Sequence, residues 1–551
     1  MTRDRFKMTN APDGFRGIFR SDDDARDVYA EAAGIARSIP MAVAIPRDVD
    51  DLSLLTRWAK ERALPLIARG SGSSMPGGAI GEGIVVDLSR WRDISGIDVA
   101  SRTVSAEPGV LRAEVDAAVR GHGLRFPVDP SSGAFCTIGG MTATNAAGPH
   151  SMHFGSMRAW VRAIDCVFDD GSHAEVRRGA PWPRGIPAIE RFASLARDLT
   201  AAERATPSIH SGVSKDSSGY GIAPFAKSGD LVDLLVGSEG TLAFFTRIEL
   251  SLTPTAGATS SVFAAFSTLD DAVAAAVRAR DAGAVACELL DRTFLDVVAT
   301  GGGTGSNAAP SGAEAALLAE VEGINAETAG LAARHVEQLF RESHATAVRV
   351  ALDQPTETEL WELRHAASPI LSRLDPNLKS MQFIEDCAVP ASALPAYVRG
   401  VRRILSDNDT RGVIFGHAGD AHVHVNPLVD VRRPDWRERV SRILDAVTDL
   451  AASLGGTLTG EHGDGRLRTP LMSRVWSADA LRRFGEVKRA FDPAGILNPG
   501  VKVPLAGESP LGDIKYDPDL APLTTRARAA LETVEARRAY ARSRLDLLVG
   551  M

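Results

Sequence analysis

Four histidines and one glutamate fall in two short runs, FGHAGDAHVHVN (Phe415–Asn426) and GEHGDGR (Gly460–Arg466), in a chain with twelve histidines in all. After a turn at Gly419-Asp420, His422, His424 and Asn426 alternate with Val423 and Val425. Period two predicts a short strand with one polar and one apolar face. A polar face on a strong strand former needs partners, and Glu461 and His462 can supply them. Imidazoles with a carboxylate suit a borderline cation such as zinc, so His417, His424 and Glu461 form a candidate metal site, with His462 beside it. No HExxH signature is present, and two polar loops with hydrogen-bonded histidines are the alternative.

The elements that must position this site begin far upstream. Ala-rich residues 22–37 read as helical. Ala42–Ile45 reads as a strand, Asp48 as a helix cap, and Leu52, Leu55, Trp58 and Ala59 as the apolar stripe of the helix that follows. Leu64–Ala68 is the next strand. It runs into RGSGSSMPGGAIGEG (Arg69–Gly83), which has six glycines in fifteen residues and is read with a hairpin-like return to a strand at Ile84–Ser89. Such a loop lets backbone N–H groups approach a phosphate, but it is not a GxGxxG turn opening a helix. A helix over Val110–Arg120 precedes a second glycine-rich stretch, Ser131–Ser156, read as one long loop suited to a flat cofactor. Val161–Phe168, the apolar run Leu231–Val236, and the alternation of Thr246, Ile248, Leu250 and Leu252 read as further strands. The second half alternates strand-like stretches with helices over 269–281 and 325–342, and 301–312 reads as a loop.

With 551 residues, 44% hydrophobic and 24% charged, the chain is long enough for two or three domains. Its net charge of −8, both signs interspersed, argues against a nucleic-acid surface. Cys136, Cys166, Cys287 and Cys387 are far apart, which excludes a CxxC iron–sulfur cluster within the chain and favours a reducing, cytoplasmic compartment. The N-terminus lacks the apolar core of a secretory signal, and no run of about 20 apolar residues appears.

Residues 40–254 resemble the FAD-binding domain of the vanillyl-alcohol oxidase superfamily. The chain as a whole resembles that superfamily's FAD-linked D-2-hydroxyacid dehydrogenase family, the branch of D-lactate, glycolate and D-2-hydroxyglutarate dehydrogenases. The matching pieces are Arg69–Gly78, Pro130–Gly148, Gly155, Lys215 with Gly219-Tyr220, and Gly237–Thr241. The resemblance implies an α+β fold. It comprises an N-terminal extension (1–39), a two-part FAD-binding domain (40–254), an α/β substrate cap carrying the metal site (255–470), a segment returning to the flavin (471–503), and a linker with a helical tail (504–551). It places FAD against Arg69, Gly70, Ser71, Gly72, Ser73, Ser74, Pro130, Ile138, Gly139, Thr142, Asn145, Gly148, Gly155, Glu239, Gly240 and Asn498. Some relatives attach flavin through a histidine following RGxG. Ser73 stands there in this chain, so noncovalent FAD is expected.

The resemblance also assigns the chemistry. Arg364 grips a substrate carboxylate, with Ser368, Lys379 and Asn426 lining the pocket, and a guanidinium fork suits that task. His417, His424 and Glu461 hold a divalent metal, zinc first, and His462 is the catalytic base. The family pattern GHxGDGNxH is broken by Ala421 and His422. A (R)-2-hydroxyacid is then oxidised with hydride transfer to FAD. Electrons pass to a quinone, an electron-transfer protein or a separate iron–sulfur subunit rather than to dioxygen. A homodimer and a location peripheral to the inner membrane fit the same family. The rival readings are a metal-independent flavin oxidase or synthase and a noncatalytic flavoprotein subunit.

Overall fold

The computed structural model describes residues 10–300, 312–365 and 377–549. Three of the four sheets among the described residues organise the fold. The first, in the order Ile18–Arg20, Ala42–Ile45, Ile84–Asp87, Leu66–Arg69, has a parallel interior. Ile84–Asp87 runs parallel to Leu66–Arg69, so the glycine-rich stretch is a crossover and not the hairpin-like return the sequence suggested. The helix Val49–Glu61 covers this sheet with Leu52, Leu55 and Ala59 buried, and the Asp48 carboxylate caps it by accepting from Asp51 N. Upstream, the helix stops at Val28 instead of reaching residue 37.

The second sheet is antiparallel, in the order Ile94–Asp98, Thr103–Ala106, Phe244–Ser251, Val161–Val167, His173–Arg177. Phe244–Ser251 is its centre. Leu231–Leu235, read as a strand, is a helix capped by Asp230, because a short apolar run buried all round serves either state. The stretch 131–156 is likewise no simple loop: Thr137 caps a helix over Ile138–Thr144, and Asn145 ends it in the left-handed conformation.

The third sheet has seven antiparallel strands in the order Ala347–Ala351, Ala258–Phe266, Ala315–Gly323, Ala286–Asp291, Arg411–His417, His422–Asp430, Leu378–Ser380. Helices Leu269–Asp281, Ala326–Glu342, Leu394–Asp407 and Trp436–Ser453 supply its main core. The chain then returns to the first two sheets. Helix Ala478–Phe491 buries Phe484 and Phe491 against the second, and Asn498 N donates to Leu66 O (2.9 Å) at the edge of the first. The four cysteines are free and buried. Among the described residues, no helix is long and apolar enough to cross a membrane.

One ionic link joins the second glycine-rich stretch to the seven-stranded sheet. His150 places Nδ1 2.6 Å from Asp129 and Nε2 2.9 Å from Glu320. Burial alone would lower its pKa, but the two carboxylates outweigh that and hold it up to about 10. A raised folded-state value means the link stabilises fully below the unfolded value of about 6.5. That stabilisation is lost as pH rises from there through about 10. His150→Gln is therefore expected to cost about 3 kcal/mol at neutral pH. Chemical denaturation across pH 6.5 to 10 should show wild-type stability falling toward that of the variant, while the variant itself changes little.

Candidate active site

The histidine strand forms as its periodicity predicts. Arg411–His417 and His422–Asp430 pair as an antiparallel hairpin, with His417 opposite His422 and Phe415 opposite His424. Ile414, Val423 and Val425 enter the core on one face, and the histidines occupy the other. Between the strands Ala421 takes a left-handed conformation (φ 53°). A neighbouring strand brings Glu288 directly opposite His417.

Three ligand atoms then converge. His424 Nε2 lies 3.4 Å from His417 Nε2 and 3.4 Å from Glu461 Oε1, and His417 Nε2 lies 3.5 Å from Glu461 Oε1. A tetrahedral cation with bonds of roughly 2.0–2.1 Å spaces its ligands by roughly 3.3–3.4 Å, so the triangle has the right size. All three side chains are buried. Burial would raise the Glu461 pKa, but Lys215 and His417 hold it well below the usual range, and Lys215 Nζ sits 2.7 Å from Oε2. Burial lowers the His424 pKa, leaving a neutral imidazole suited to ligation.

The support beneath this triangle was not identified from the sequence. Glu288 Oε1 is 2.5 Å from His417 Nδ1, which leaves Nε2 to face the site, while Oε2 accepts from Arg364 Nε at 2.7 Å. One buried carboxylate thus orients both a candidate metal ligand and the candidate substrate arginine. Burial opposes ionisation of Glu288, but His417 and Arg364 hold its pKa well below the usual range. A charged residue inside the apolar run CELLD was the available signal. Glu288→Gln is expected to weaken divalent-cation binding about 10- to 100-fold, measured by metal titration.

Asp386 organises the second run. It accepts from His422 Nε2 (2.9 Å), His462 N (2.9 Å), Glu461 N (3.3 Å) and the Thr459 hydroxyl. Glu385 pairs with Arg468 and lies 3.1 Å from His462 Nδ1. Burial would lower the His462 pKa, but Asp386 and Glu385 hold it up to about 9. His422 is fully buried behind this array, and burial pushes its pKa down to about 3. It does not line the cleft, but one of its ring nitrogens lies within 4.8 Å of ligand atoms of His417, His424 and Glu461.

The triangle opens into a cavity of about 1160 Å³ that continues along both glycine-rich stretches. Arg69, Gly70, Ser71, Gly72, Ser73, Ser74, Pro130, Gly139, Gly148, Glu239 and Gly240 line it, as do Arg364, Asn426 and His462. The first loop packs tightly: a Cβ on Gly70 would meet Thr137 Oγ1 at 2.3 Å, and Gly72 has φ +72°. The Arg69 guanidinium braces the loop from below, donating to Tyr29 O (3.2 Å) and Glu31 O (2.9 Å). Ile138, Thr142, Asn145, Gly155 and Asn498 do not line the cavity. The Asn498 amide donates to Gly78 O (2.9 Å) and Glu239 O (2.8 Å), tying the first loop to the Glu239 turn. The Glu239 carboxylate turns away and accepts from Asp464 N and Gly465 N, clasping the second histidine run. Lys379 lies on the edge strand Leu378–Ser380 and does not line the cleft, whereas Gln382 does. Ser368 falls outside the described residues.

Residues 40–177 match the FAD binding domain family, and residues 256–501 match the C-terminal domain of FAD linked oxidases. Glycolate oxidase subunit GlcD of Bacillus subtilis (strain 168) is 30% identical over 88% of this chain and 93% of its own length. The D-lactate dehydrogenase of Archaeoglobus fulgidus is 27% identical over 83% of this chain and 89% of its own. Among solved structures, 4-ethylphenol oxidase from Gulosibacter chungangensis superposes with a TM-score of 0.61 at 16% identity, covering 88% of this chain and 94% of that one, which supports the vanillyl-alcohol-oxidase type of fold. The chain belongs to the FAD-linked oxidase family, in the hydroxyacid dehydrogenase branch that contains the glycolate oxidase subunits and D-lactate dehydrogenases.

Proposed function

We propose that this flavoenzyme oxidises a small (R)-2-hydroxyacid to the 2-oxoacid with the help of a divalent cation and passes the electrons to an acceptor other than dioxygen. The observation that carries this reading is the triangle of His417, His424 and Glu461 beside Arg364, in the same cavity as the glycine loops. The donor set, two imidazoles and a carboxylate, suits zinc among the divalent metals. A cation held there supplies a Lewis acid for the substrate hydroxyl, and FAD supplies the hydride acceptor.

The chain's own residues do the rest. Arg364 is fixed by Glu288 and by the Phe415 ring 4.6 Å beneath its guanidinium, so it meets a carboxylate already oriented. Asn426, on the same strand face as His424, lines the pocket beside it. With Nδ1 beside Glu385, His462 presents Nε2, 3.7 Å from Glu461 Oε1, to take the hydroxyl proton. Asp386 and Glu385 stabilise the imidazolium so formed. Positive charge in the triangle works in the opposite sense and moves the ring toward the neutral form needed beforehand.

Arg364→Ala is expected to lower kcat/KM for the best hydroxyacid by about 30- to 150-fold, the effect of losing a charge-assisted bond worth about 2–3 kcal/mol, with the flavin spectrum retained. An unchanged kcat/KM would remove Arg364 from the substrate site. Noncovalent attachment is tested by acid precipitation, in which the yellow colour should leave with the supernatant. The acceptor is tested by comparing dye reduction with peroxide formation, and peroxide output equal to dye turnover would make the enzyme an oxidase.

A further inference from the structure

The C-terminal tail lies beyond both matched family spans, the later of which ends at residue 501, yet it reaches the cofactor cleft. It holds two helices, Thr525–Arg537 and Arg544–Val549, separated where Arg538 turns left-handed (φ 50°), within the linker and helical tail expected for 504–551. Leu531, Val534, Leu545 and Leu548 bury against the first sheet and the helix at residues 23–28. Thr524 N donates to Asp27 (2.7 Å) and Arg90 pairs with Asp546 (2.7 Å), so the tail is anchored along its length.

From this position it touches both glycine-rich stretches. The Tyr540 ring stacks on Phe135 of the second, with centroids 5.2 Å apart and planes at 30°. Arg544 lies over the other part of that aromatic pair, 5.2 Å from the Tyr540 centroid, and donates to Ser71 O (3.1 Å) in the first. Lys515, paired with Glu535 at 2.7 Å, and Tyr516, Arg538 and Tyr540 line the cavity itself, as does Glu535. Arg544 is 3% exposed and has no hydrogen-bond partner at Nε or Nη1, and buried Arg69 has none at Nε. Burial and then the neighbouring Arg544 depress the Arg69 pKa to about 10, while Tyr29, Asp87 and Tyr540 act in the opposite sense. Asp87 offsets part of the charge, and the three unpartnered N–H groups still favour a further anion nearby. Hydride transfer requires the isoalloxazine to face Arg364 and His462, which leaves the stretch of cleft beside the tail to the other half of the dinucleotide.

We propose that the tail completes the cofactor site as a wall against the adenylate half of FAD, with Tyr516 and the edge of the Tyr540–Phe135 stack packing against the adenine and Arg538 providing positive charge beside the adenylate phosphate. The proposal rests on the FAD reading above. The test uses the full-length chain, freed of flavin and titrated with FAD, with ADP, and with FMN, which lacks the adenylate. Tyr540→Ala and Arg538→Ala should each raise the Kd for FAD and ADP, by about 10-fold for the tyrosine, and leave the Kd for FMN unchanged. Arg538 is exposed, so its variant reads binding without disturbing the fold. Equal weakening of FAD and FMN, or no change in either, would overturn the wall while leaving the FAD site in place. A wild-type chain that binds neither FAD nor ADP would overturn both readings.

Discussion

Replacing His424 or Glu461 by alanine should strip the divalent cation and lower the rate of flavin reduction by hydroxyacid by about 1000-fold. The triangle has one ligand atom from each of three residues, so each substitution removes one of the three. A Lewis acid contributes several kcal/mol to the stabilisation of charge on the substrate oxygen, and about 4 kcal/mol corresponds to three decades of rate. Metal content by elemental analysis and anaerobic flavin bleaching on the same samples check the two halves of this expectation. FAD content should stay near one per chain in both variants, because neither residue braces the glycine loops. Glu461→Ala has a second consequence: it leaves Lys215 buried without its carboxylate, so some loss of stability should accompany the loss of metal.

His462→Ala should behave differently in kind. The variant should keep both metal and flavin, since Asp386 also holds this turn through the backbone N–H groups of residues 461 and 462, which the substitution leaves in place. Flavin reduction should nonetheless slow by about 100-fold or more, the usual contribution of a positioned general base. Wild-type rates should rise with pH as the imidazole loses its proton, and the variant should lack that limb of the profile. A variant with full activity would move the proton acceptor elsewhere, and a variant without metal would make His462 a ligand.

Much of the site was legible because it is local. The alternation of His422, His424 and Asn426 with two valines has one regular interpretation, and the hairpin follows it. Helices 269–281 and 326–342 carry caps at Thr268 and Asn325, so their starts are written in adjacent residues. What was not legible depends on pairing at a distance. Parallel alignment of Leu66–Arg69 with Ile84–Asp87 is fixed by neighbouring strands, and the glycines between them are compatible with either course. Leu231–Leu235 could be helix or strand, and burial decided it. The supporting carboxylates Glu288, Glu385 and Asp386 come from separate segments that periodicity cannot join. Arg364 was assigned to the substrate by resemblance, but its tie to Glu288, and through it to His417, exists only in the folded chain. The tail's approach to Ser71 and Phe135 spans more than four hundred residues and leaves no mark on its own composition.

The central claim is that a cation in the triangle of His417, His424 and Glu461 is required for hydroxyacid oxidation at the flavin. The most direct measurement is anaerobic stopped-flow reduction of wild-type holoprotein by D-lactate and D-2-hydroxyglutarate, before and after exhaustive chelation, with metal content determined on the same samples. The stripped protein should retain its FAD yet bleach about 1000-fold more slowly with whichever hydroxyacid serves as substrate, and added zinc, manganese or cobalt should restore the rate to different extents. Metal-free protein that still bleaches at the full rate would contradict the account.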